Sequence, residues 1–344
     1  MSAVLSSRAM GGYFELELPP ARLSLHEGAL RFQSARAAFL ALLRAVRPTA
    51  VWLPWYICDA MTEPLAMSGI PIRRYAIDRN MRVPSVDVRQ GEVLLYVNYF
   101  GLCDDQVDDV LRRFPRESVV IDNAQALFAP HRDCLATIYS PRKFVGVPDG
   151  GYLVTHARVE PPETIDESSI RRCDHLLRRI AEDAEAGYAA YAAAEESLRH
   201  QEPARMSALT RRMLASVDYD SVRTRRIANF TYLHERLRPH NRFAFHFDPD
   251  RAVPLCYPLF GEHAELRDEL RRQRIYTPTY WPDVAQSQDA PDFERSIPAS
   301  ALFLPCDQRL TPRDLEPVVT HVLDRLACLA LGRREASRDS TTHS

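Results

Sequence analysis

Lysine is nearly absent from this chain of 344 residues. Of its 44 basic residues, 43 are arginine, and the single lysine is Lys143. Arginine can replace lysine wherever only a solvated cation is needed, but its guanidinium stays protonated and cannot attack a carbonyl as a free amine. Lys143 is therefore a candidate for covalent chemistry with a carbonyl cofactor or substrate. The alternative is a surface lysine left by chance.

Several other features are missing, and each absence excludes a class of protein. No apolar run approaches the length of a membrane span, and residues 1–12 lack the apolar region of a signal peptide. The net charge of −2 gives no electrostatic case for nucleic acid as a partner. The seven cysteines have no Cys-x-x-Cys spacing, and the histidines have no metal-ligand spacing. The sequence therefore predicts a cytoplasmic protein without a metal site and without a nucleic-acid or membrane partner.

Strands alternate with helices between about residues 50 and 135, which predicts a mostly parallel sheet covered on both faces. In such sheets a ligand binds outside the carboxyl ends of the strands. Asn98, Asp122 and Ser140 fall at predicted strand ends, and Lys143 comes three residues after one. We therefore expect these side chains to converge.

The segments around this sheet are also assigned from their patterns. Ser34 is predicted to cap a helix over residues 37–46, and a helix start beside Arg36 would suit a phosphate, although a plain capped helix is the alternative. The predicted domains are a large one over 1–240, with a helical insert at about 160–203, a small α+β domain over 241–332 and a disordered tail over 333–344. Further elements are predicted as strands over 12–18, 243–247, 253–258, 275–280 and 301–305, and as helices over 176–199, 264–273 and 311–326.

Four sequence motifs, in this order, resemble those of one enzyme family. The chain is similar to the fold-type I pyridoxal-phosphate enzymes and, among them, to the DegT/DnrJ/EryC1/StrS sugar aminotransferases. The resemblance covers nearly the whole chain. The motifs are Ser34-Ala-Arg-Ala-Ala38, Val120-Ile-Asp-Asn-Ala-Gln125, Ser140-Pro-Arg-Lys143 with Asp149-Gly-Gly151, and Leu302-Phe-Leu-Pro305 with Leu310-Thr-Pro-Arg-Asp314.

The resemblance implies a cofactor, pyridoxal 5'-phosphate, and a role for each matching residue. Lys143 would form an imine with the cofactor and later act as the base that moves a proton. Asp122 would keep the pyridine nitrogen protonated, and Gln125 would lie near the phenolic oxygen. The remaining assignments are Ser34, Ala35, Arg36 and Ser140 at the phosphate, Tyr56 or Trp55 on the ring face, Asn98 and Tyr99 near the ring or substrate, and Tyr280 and Trp281 at the pocket wall.

The chain also departs from the family pattern. Ala35-Arg36 replaces the usual Gly-Thr, and the helical segment at 160–203 stands where the family has Gly-Tyr-Asn-x-Arg. The substrate pocket is therefore expected to be remodelled. The resemblance implies a homodimer that transfers an amino group from an amino acid to a keto sugar or another biosynthetic intermediate. The alternatives are a dehydratase or condensing enzyme with the same cofactor, and a scaffold without catalysis.

Overall fold

A seven-stranded sheet forms the centre of the protein. The computed structural model describes residues 11–22, 25–261 and 263–341. The strand order is β1-β7-β6-β5-β4-β2-β3; the five strands from β6 to β3 run parallel, β7 is antiparallel to β6, and β1 is antiparallel to β7. The predicted α/β fold is confirmed. The strands are β1 Leu30–Phe32, β2 Ala50–Pro54, β3 Ile72–Tyr75, β4 Glu92–Val97, β5 Val119–Asn123, β6 Ala136–Tyr139 and β7 Gly151–Thr155.

Both faces of the sheet are covered at its central strands, β4 and β5, which are mostly apolar. Every residue of β4 and of β5 is buried, as parallel strands require. Helix α1 (Ala35–Val46) lies close to its predicted bounds, and helices α2 (Asp59–Ser68) and α3 (Asp104–Arg113) follow β2 and β4. The connections place the carboxyl ends of β2, β4, β5 and β6 at one edge of the sheet.

The segment predicted as one helix over 176–199 is a pair of helices instead. These are α4 (Asp174–Ala181) and α5 (Ala184–Glu196), which pack against each other and are called the helical hairpin below. Glu182 leaves the helical conformation with φ −130° and ψ −119°. Asp183 then caps α5, because its carboxylate accepts a hydrogen bond from the backbone nitrogen of Ala186 at 3.0 Å. Helices α6 (Ala208–Ala215) and α7 (Tyr219–Leu237) follow.

The C-terminal part contains a two-stranded antiparallel sheet of β8 (Cys256–Phe260) and β9 (Ala301–Pro305). Helix α10 begins as predicted after Thr311, whose hydroxyl and backbone nitrogen both bond to Asp314. It continues to Thr341, so the backbone is helical over most of the tail predicted to be disordered. The division into two domains stays a prediction. The remaining helices are α8 Ala264–Arg272, α9 Asp292–Ser300 and α10 Pro312–Thr341.

Three predicted strands are wrong, and a fourth is displaced. Residues 12–18 and 243–247 pair with no strand among the described residues, so alternating hydrophobicity does not lead to pairing there. Residues 275–280 contain Pro278, which has no N–H to donate to a ladder. The strand predicted over 253–258 begins later, as β8. Within the described chain, no helix combines the length and apolarity needed to span a bilayer.

Candidate active site

The ends of β5 and β6 bring Asp122 and the Lys143 turn to the same edge of the sheet. Parallel pairing aligns Asp122 with Val97 of β4 and with Ile138 of β6. After β6 the chain forms one 3-10 turn, Pro141–Lys143, in which the nitrogen of Lys143 lies 3.4 Å from the carbonyl oxygen of Ser140. The sheet topology thus places the turn that carries the only lysine at the same edge as a buried carboxylate, within electrostatic range of it.

Asp122 is a buried acid with little compensation for its charge. Asp122 is only 5% exposed. Its Oδ1 accepts one hydrogen bond, from the backbone nitrogen of Ala124 at 2.8 Å. Burial raises the pKa of Asp122 to about 6, while the Ala124 hydrogen bond and the charge of Lys143 act to lower it. A cationic group beside this carboxylate would therefore be stabilised strongly.

Lys143 is exposed in the single chain, yet it lies within electrostatic range of three buried groups. Its charge acts to lower the pKa values of Asp122, of Cys58 after β2 and of Cys256 on β8. Burial outweighs that influence in each case and raises all three pKa values. No described residue forms a hydrogen bond or ion pair with the Lys143 amine. The amine is therefore uncommitted and adjoins the acid.

The side-chain amide of Gln125 uses only one of its two polar atoms in hydrogen bonds to described residues. Its Oε1 accepts a hydrogen bond from the backbone nitrogen of Phe100 at 2.8 Å. Its Nε2 is buried and has no partner among the described residues. Because an unpaired buried donor costs free energy, such a group indicates a ligand with an acceptor atom.

The N-terminus of α1 lies against β7. Ser34 caps the helix, since its Oγ accepts a hydrogen bond from the nitrogen of Ala37 at 3.0 Å. A Cβ atom on Gly151 would lie 2.3 Å from the carbonyl carbon of Ser34 and 2.4 Å from the nitrogen of Ala35, so only glycine permits this approach. The side chain of Arg36 turns away, towards Asp59 at 3.8 Å and another acid of α2. A phosphate role for Ser34, Ala35, Arg36 and the buried Ser140 stays a prediction.

A stacking role for Tyr56 or Trp55 stays a prediction, and the structure shows Tyr56 packed among other aromatic rings. Its ring is fully buried, with centroids 4.4 Å from Trp281 and 5.9 Å from Tyr99. The Tyr99 hydroxyl donates to the carbonyl oxygen of Tyr56 at 2.9 Å, which fixes both rings in the core. Trp55 is half-buried beneath the guanidinium of Arg74, 5.4 Å from its ring centroid. In the loop after β2, the charge of Lys143 acts to lower the pKa of the Cys58 thiol.

Asn98 has a structural use that the sequence does not reveal. Its amide nitrogen donates to Asp104 at 2.9 Å, and its amide oxygen accepts from the nitrogen of Cys103 at 3.0 Å. Both halves of the amide therefore close the turn between β4 and α3. Contact of Asn98 or Tyr99 with a substrate stays a prediction that these buried contacts do not support.

Tyr280 and Trp281 differ in their access to a cavity. Trp281 lines a cavity of about 410 Å³ together with Trp55, Arg74 and Asp59. The ring of Tyr280 packs against Phe303 in the core, with centroids 4.7 Å apart. Trp281 therefore lies in a wall open to small molecules.

Sequence reasoning missed the contact between the helical hairpin and the Lys143 turn. Arg142, directly before Lys143, is paired with Glu195 of α5. A Cβ atom on Gly146 would lie 3.3 Å from Cδ2 of Leu176 on α4. The hairpin thus contacts residues that precede and follow Lys143 in the chain. No sequence signal identifies Glu195 as the partner of Arg142, because both ends of the pair sit in ordinary charged runs.

Solved structures with the same architecture were found, although no protein-family model and no curated protein matches the sequence. DesV from S. venezuelae is 20% identical with a TM-score of 0.59, over 86% of this chain and 83% of its own. NtdA from Bacillus subtilis, solved with bound cofactor PMP, is 14% identical with a TM-score of 0.61, over 86% of this chain and 72% of its own. The chain has the fold of the sugar aminotransferases.

A third structure extends the likeness to the family named by the sequence motifs. It is a DegT DnrJ EryC1 StrS aminotransferase from Brucella abortus, which is 14% identical with a TM-score of 0.58 over 87% of this chain and 86% of its own. The sugar-aminotransferase fold therefore accounts for most of the chain. At these identities the likeness concerns the fold, and the chemistry depends on the site residues themselves.

Proposed function

We propose that this protein is an aminotransferase that uses pyridoxal 5'-phosphate and moves an amino group from an amino acid to a keto substrate. The observation that carries the proposal is the adjacency of Asp122 and Lys143 at the carboxyl edge of a sugar-aminotransferase sheet. A single lysine beside a buried acid is the minimum that this cofactor requires.

The residues at the site fit the cofactor. Asp122 has uncompensated negative charge for a protonated ring nitrogen, and Gln125 has an unpaired Nε2 for an oxygen acceptor. The N-terminus of α1, capped by Ser34, offers backbone N–H groups to a phosphate. When bound, pyridoxal phosphate supplies an electron sink for the electrons left when a proton leaves the carbon next to the substrate nitrogen.

Asp122, Lys143 and the helical hairpin would then have separate roles in the reaction. The Asp122 carboxylate stays ionised next to a cation and holds the proton on the ring nitrogen, and its burial strengthens that interaction. The Lys143 amine, once free, takes a proton from one carbon and returns it at another. The helical hairpin contacts the Lys143 turn through Arg142–Glu195 and helps to hold it in place.

The substrate proposal follows from the fold relatives and from the charges near Lys143. A keto sugar is the first acceptor class to test, because the similar structures are sugar aminotransferases. Arg142, directly before Lys143, is paired with Glu195, and Arg36 at the start of α1 is paired with Asp59 and Glu63. The charges of these two guanidinium groups are therefore already balanced by carboxylates. A homodimer in the cytoplasm belongs to the same proposal.

Absorption spectroscopy of the purified protein with the cofactor tests this function. We expect a visible band from bound cofactor that L-glutamate alone converts to the spectrum of the amine form. Lys143→Ala and Lys143→Arg should both lose the visible band and turnover, because neither supplies a primary amine, while the far-ultraviolet circular dichroism stays unchanged.

Two other outcomes would favour the alternatives. If amino acids shift the band without converting it, a dehydratase or condensing enzyme with the same residues is favoured. If no band forms at saturating cofactor, the protein is a scaffold and the proposal fails.

A further inference from the structure

Two exposed apolar features of this chain have no partner within it. The first is the segment Gly11–Pro20, called the arm below. Tyr13 is 99% exposed, Phe14 94% and Leu16 72%. Isolated apolar residues are common on surfaces, but three large ones within four positions of a segment without regular structure are a typical interaction site.

The base of the arm is fixed to the protein. Arg212 donates to the carbonyl oxygen of Leu18 at 3.0 Å, and Arg22 forms an ion pair with Asp218 at 2.7 Å. The nitrogen of Arg22 also donates to the carbonyl oxygen of Ala215 at 2.6 Å. The tip therefore projects from an anchored base at α6 and α7, which reduces the entropy lost when it binds a surface.

The second feature is the outer surface of the helical hairpin, called the hairpin face below. Helix α4 has an apolar stripe yet buries none of its residues. Leu177 is 53% exposed and Ile180 84%, and these two lie on one side of the helix because they are three positions apart. Ile170, in the preceding turn, is 73% exposed. An amphipathic helix of this kind normally covers its apolar stripe with another surface.

The charges of the two features are complementary. Glu15 and Glu17 of the arm have no ionic partner among the described residues. Arg171 and Arg179 border the hairpin face and also lack one within that part of the chain. An acidic, apolar arm and a basic, apolar face are matched in both respects.

We propose that the arm of one copy of this chain binds the hairpin face of a second copy. A two-fold axis makes the contact twice, and each copy then contributes one arm and one face. Covered aromatic side chains bury about 150–250 Å² each, so both contacts together approach the roughly 800 Å² per partner of a stable interface. Since the hairpin packs on the Lys143 turn, this contact would join the dimer to the candidate site.

Charge reversal with rescue tests the proposal, and it does not depend on the cofactor. The full-length chain is studied by sedimentation equilibrium over a range of concentrations. The arm variant Glu15→Arg/Glu17→Arg and the face variant Arg171→Glu/Arg179→Glu should each raise the dimer dissociation constant at least about tenfold, because each places four like charges together in every contact. The four-fold combination should restore the wild-type value. The matched control Glu117→Arg/Arg272→Glu, at exposed positions elsewhere, should leave it unchanged.

Cysteine cross-linking identifies which copies are in contact. Chains carrying only Leu16→Cys, with one affinity tag, are mixed with chains carrying only Ile180→Cys and oxidised with diamide, which takes up the two electrons and two protons released when two thiols form a disulfide. A mixed disulfide above the level given by each variant alone supports the proposal. A monomeric wild type, a dissociation constant that does not respond to reversal, or a combination variant without rescue would overturn it. Loss of the visible cofactor band would instead count against the proposed function only.

Discussion

At the scale of single residues, Asp122 carries a charge that the protein leaves largely uncompensated. Its folded pKa of about 6 lies above the ordinary aspartate value of 3.8, because burial disfavours the ionised form. The contribution of the protonated acid to the free energy of unfolding is complete below pH 3.8 and is lost as the pH rises through 6. A bound cation at this position would remove that cost at neutral pH.

Asp122→Asn should therefore stabilise the cofactor-free protein at pH 8, by up to about 3 kcal/mol for a shift of this size. Asparagine keeps the oxygen that accepts from Ala124. At pH 3.8 or below, the gain should vanish, because the wild-type acid is then protonated. Urea unfolding of both proteins across this pH range measures the difference. With cofactor bound, the variant should retain the cofactor but transfer protons slowly; a wild-type rate would remove Asp122 from its role.

The sequence identifies single residues well only where chemistry restricts the choice. Lys143 stands out because arginine cannot replace a reactive amine, and Asp122 stands out at the end of an apolar strand. No local pattern tells that the ring of Tyr56 packs into the core, because its contacts with Trp281 and Tyr99 are distant in the sequence. Likewise, the use of Asn98 in a turn depends on Asp104 and Cys103 rather than on the strand end.

At the scale of elements, the contact between α1 and β7 is the most restrictive feature of the site. The Gly151 backbone lies directly against Ser34 and Ala35, where a Cβ atom would meet backbone atoms at 2.3 and 2.4 Å. Backbone cannot rotate aside as a flexible side chain can. The geometry of the helix start therefore depends on the absence of one methyl group.

Gly151→Ala should cost about 3 kcal/mol, the upper range for overpacking, and should weaken cofactor binding by displacing the start of α1. Gly146→Ala is the matched control, because its Cβ would meet only the end of the Leu176 side chain at 3.3 Å; we expect a cost within about 1 kcal/mol. Thermal unfolding and cofactor titration measure the two effects. Equal effects of both substitutions would contradict this account of the contact.

Most regular elements were predictable because periodicity reports which face is buried, and the strands and helices over 50–155 illustrate this. The errors arise where long-range contacts decide. Residues 12–18 alternate like a strand but have no neighbouring strand among the described residues. The break between α4 and α5 depends on Asp183, which could have been recognised as a helix cap.

At the scale of the whole molecule, Glu294 joins the C-terminal part to the large sheet. It is fully buried, and its two carboxylate oxygens accept hydrogen bonds from the nitrogens of Tyr56 at 2.7 Å and Ile77 at 3.0 Å. Burial raises the pKa of Glu294 to about 7, and the backbone hydrogen bonds lower it less. Helix α9 is thereby attached to the loops that follow β2 and β3.

Stability should consequently fall as the pH rises through 7. Glu294 has a folded pKa above its unfolded value of 4.5, so its contribution is complete below pH 4.5 and lost above 7. In Glu294→Gln, the urea unfolding midpoint should change less between pH 5 and 8.5 than it does in the wild type. The substitution should also lower the midpoint at pH 5, since one amide oxygen cannot accept both hydrogen bonds. An unchanged pH slope in the variant would assign the dependence to other groups.

The most direct test of the account is to locate the amine that carries the cofactor. The protein is incubated with pyridoxal phosphate, reduced with sodium borohydride, digested and analysed by peptide mass mapping. Because the chain has one lysine, this experiment has a single internal candidate. We expect the reduced cofactor on the peptide that contains Lys143, in about one copy per chain. An unlabelled Lys143 peptide at saturating cofactor would contradict the central claim.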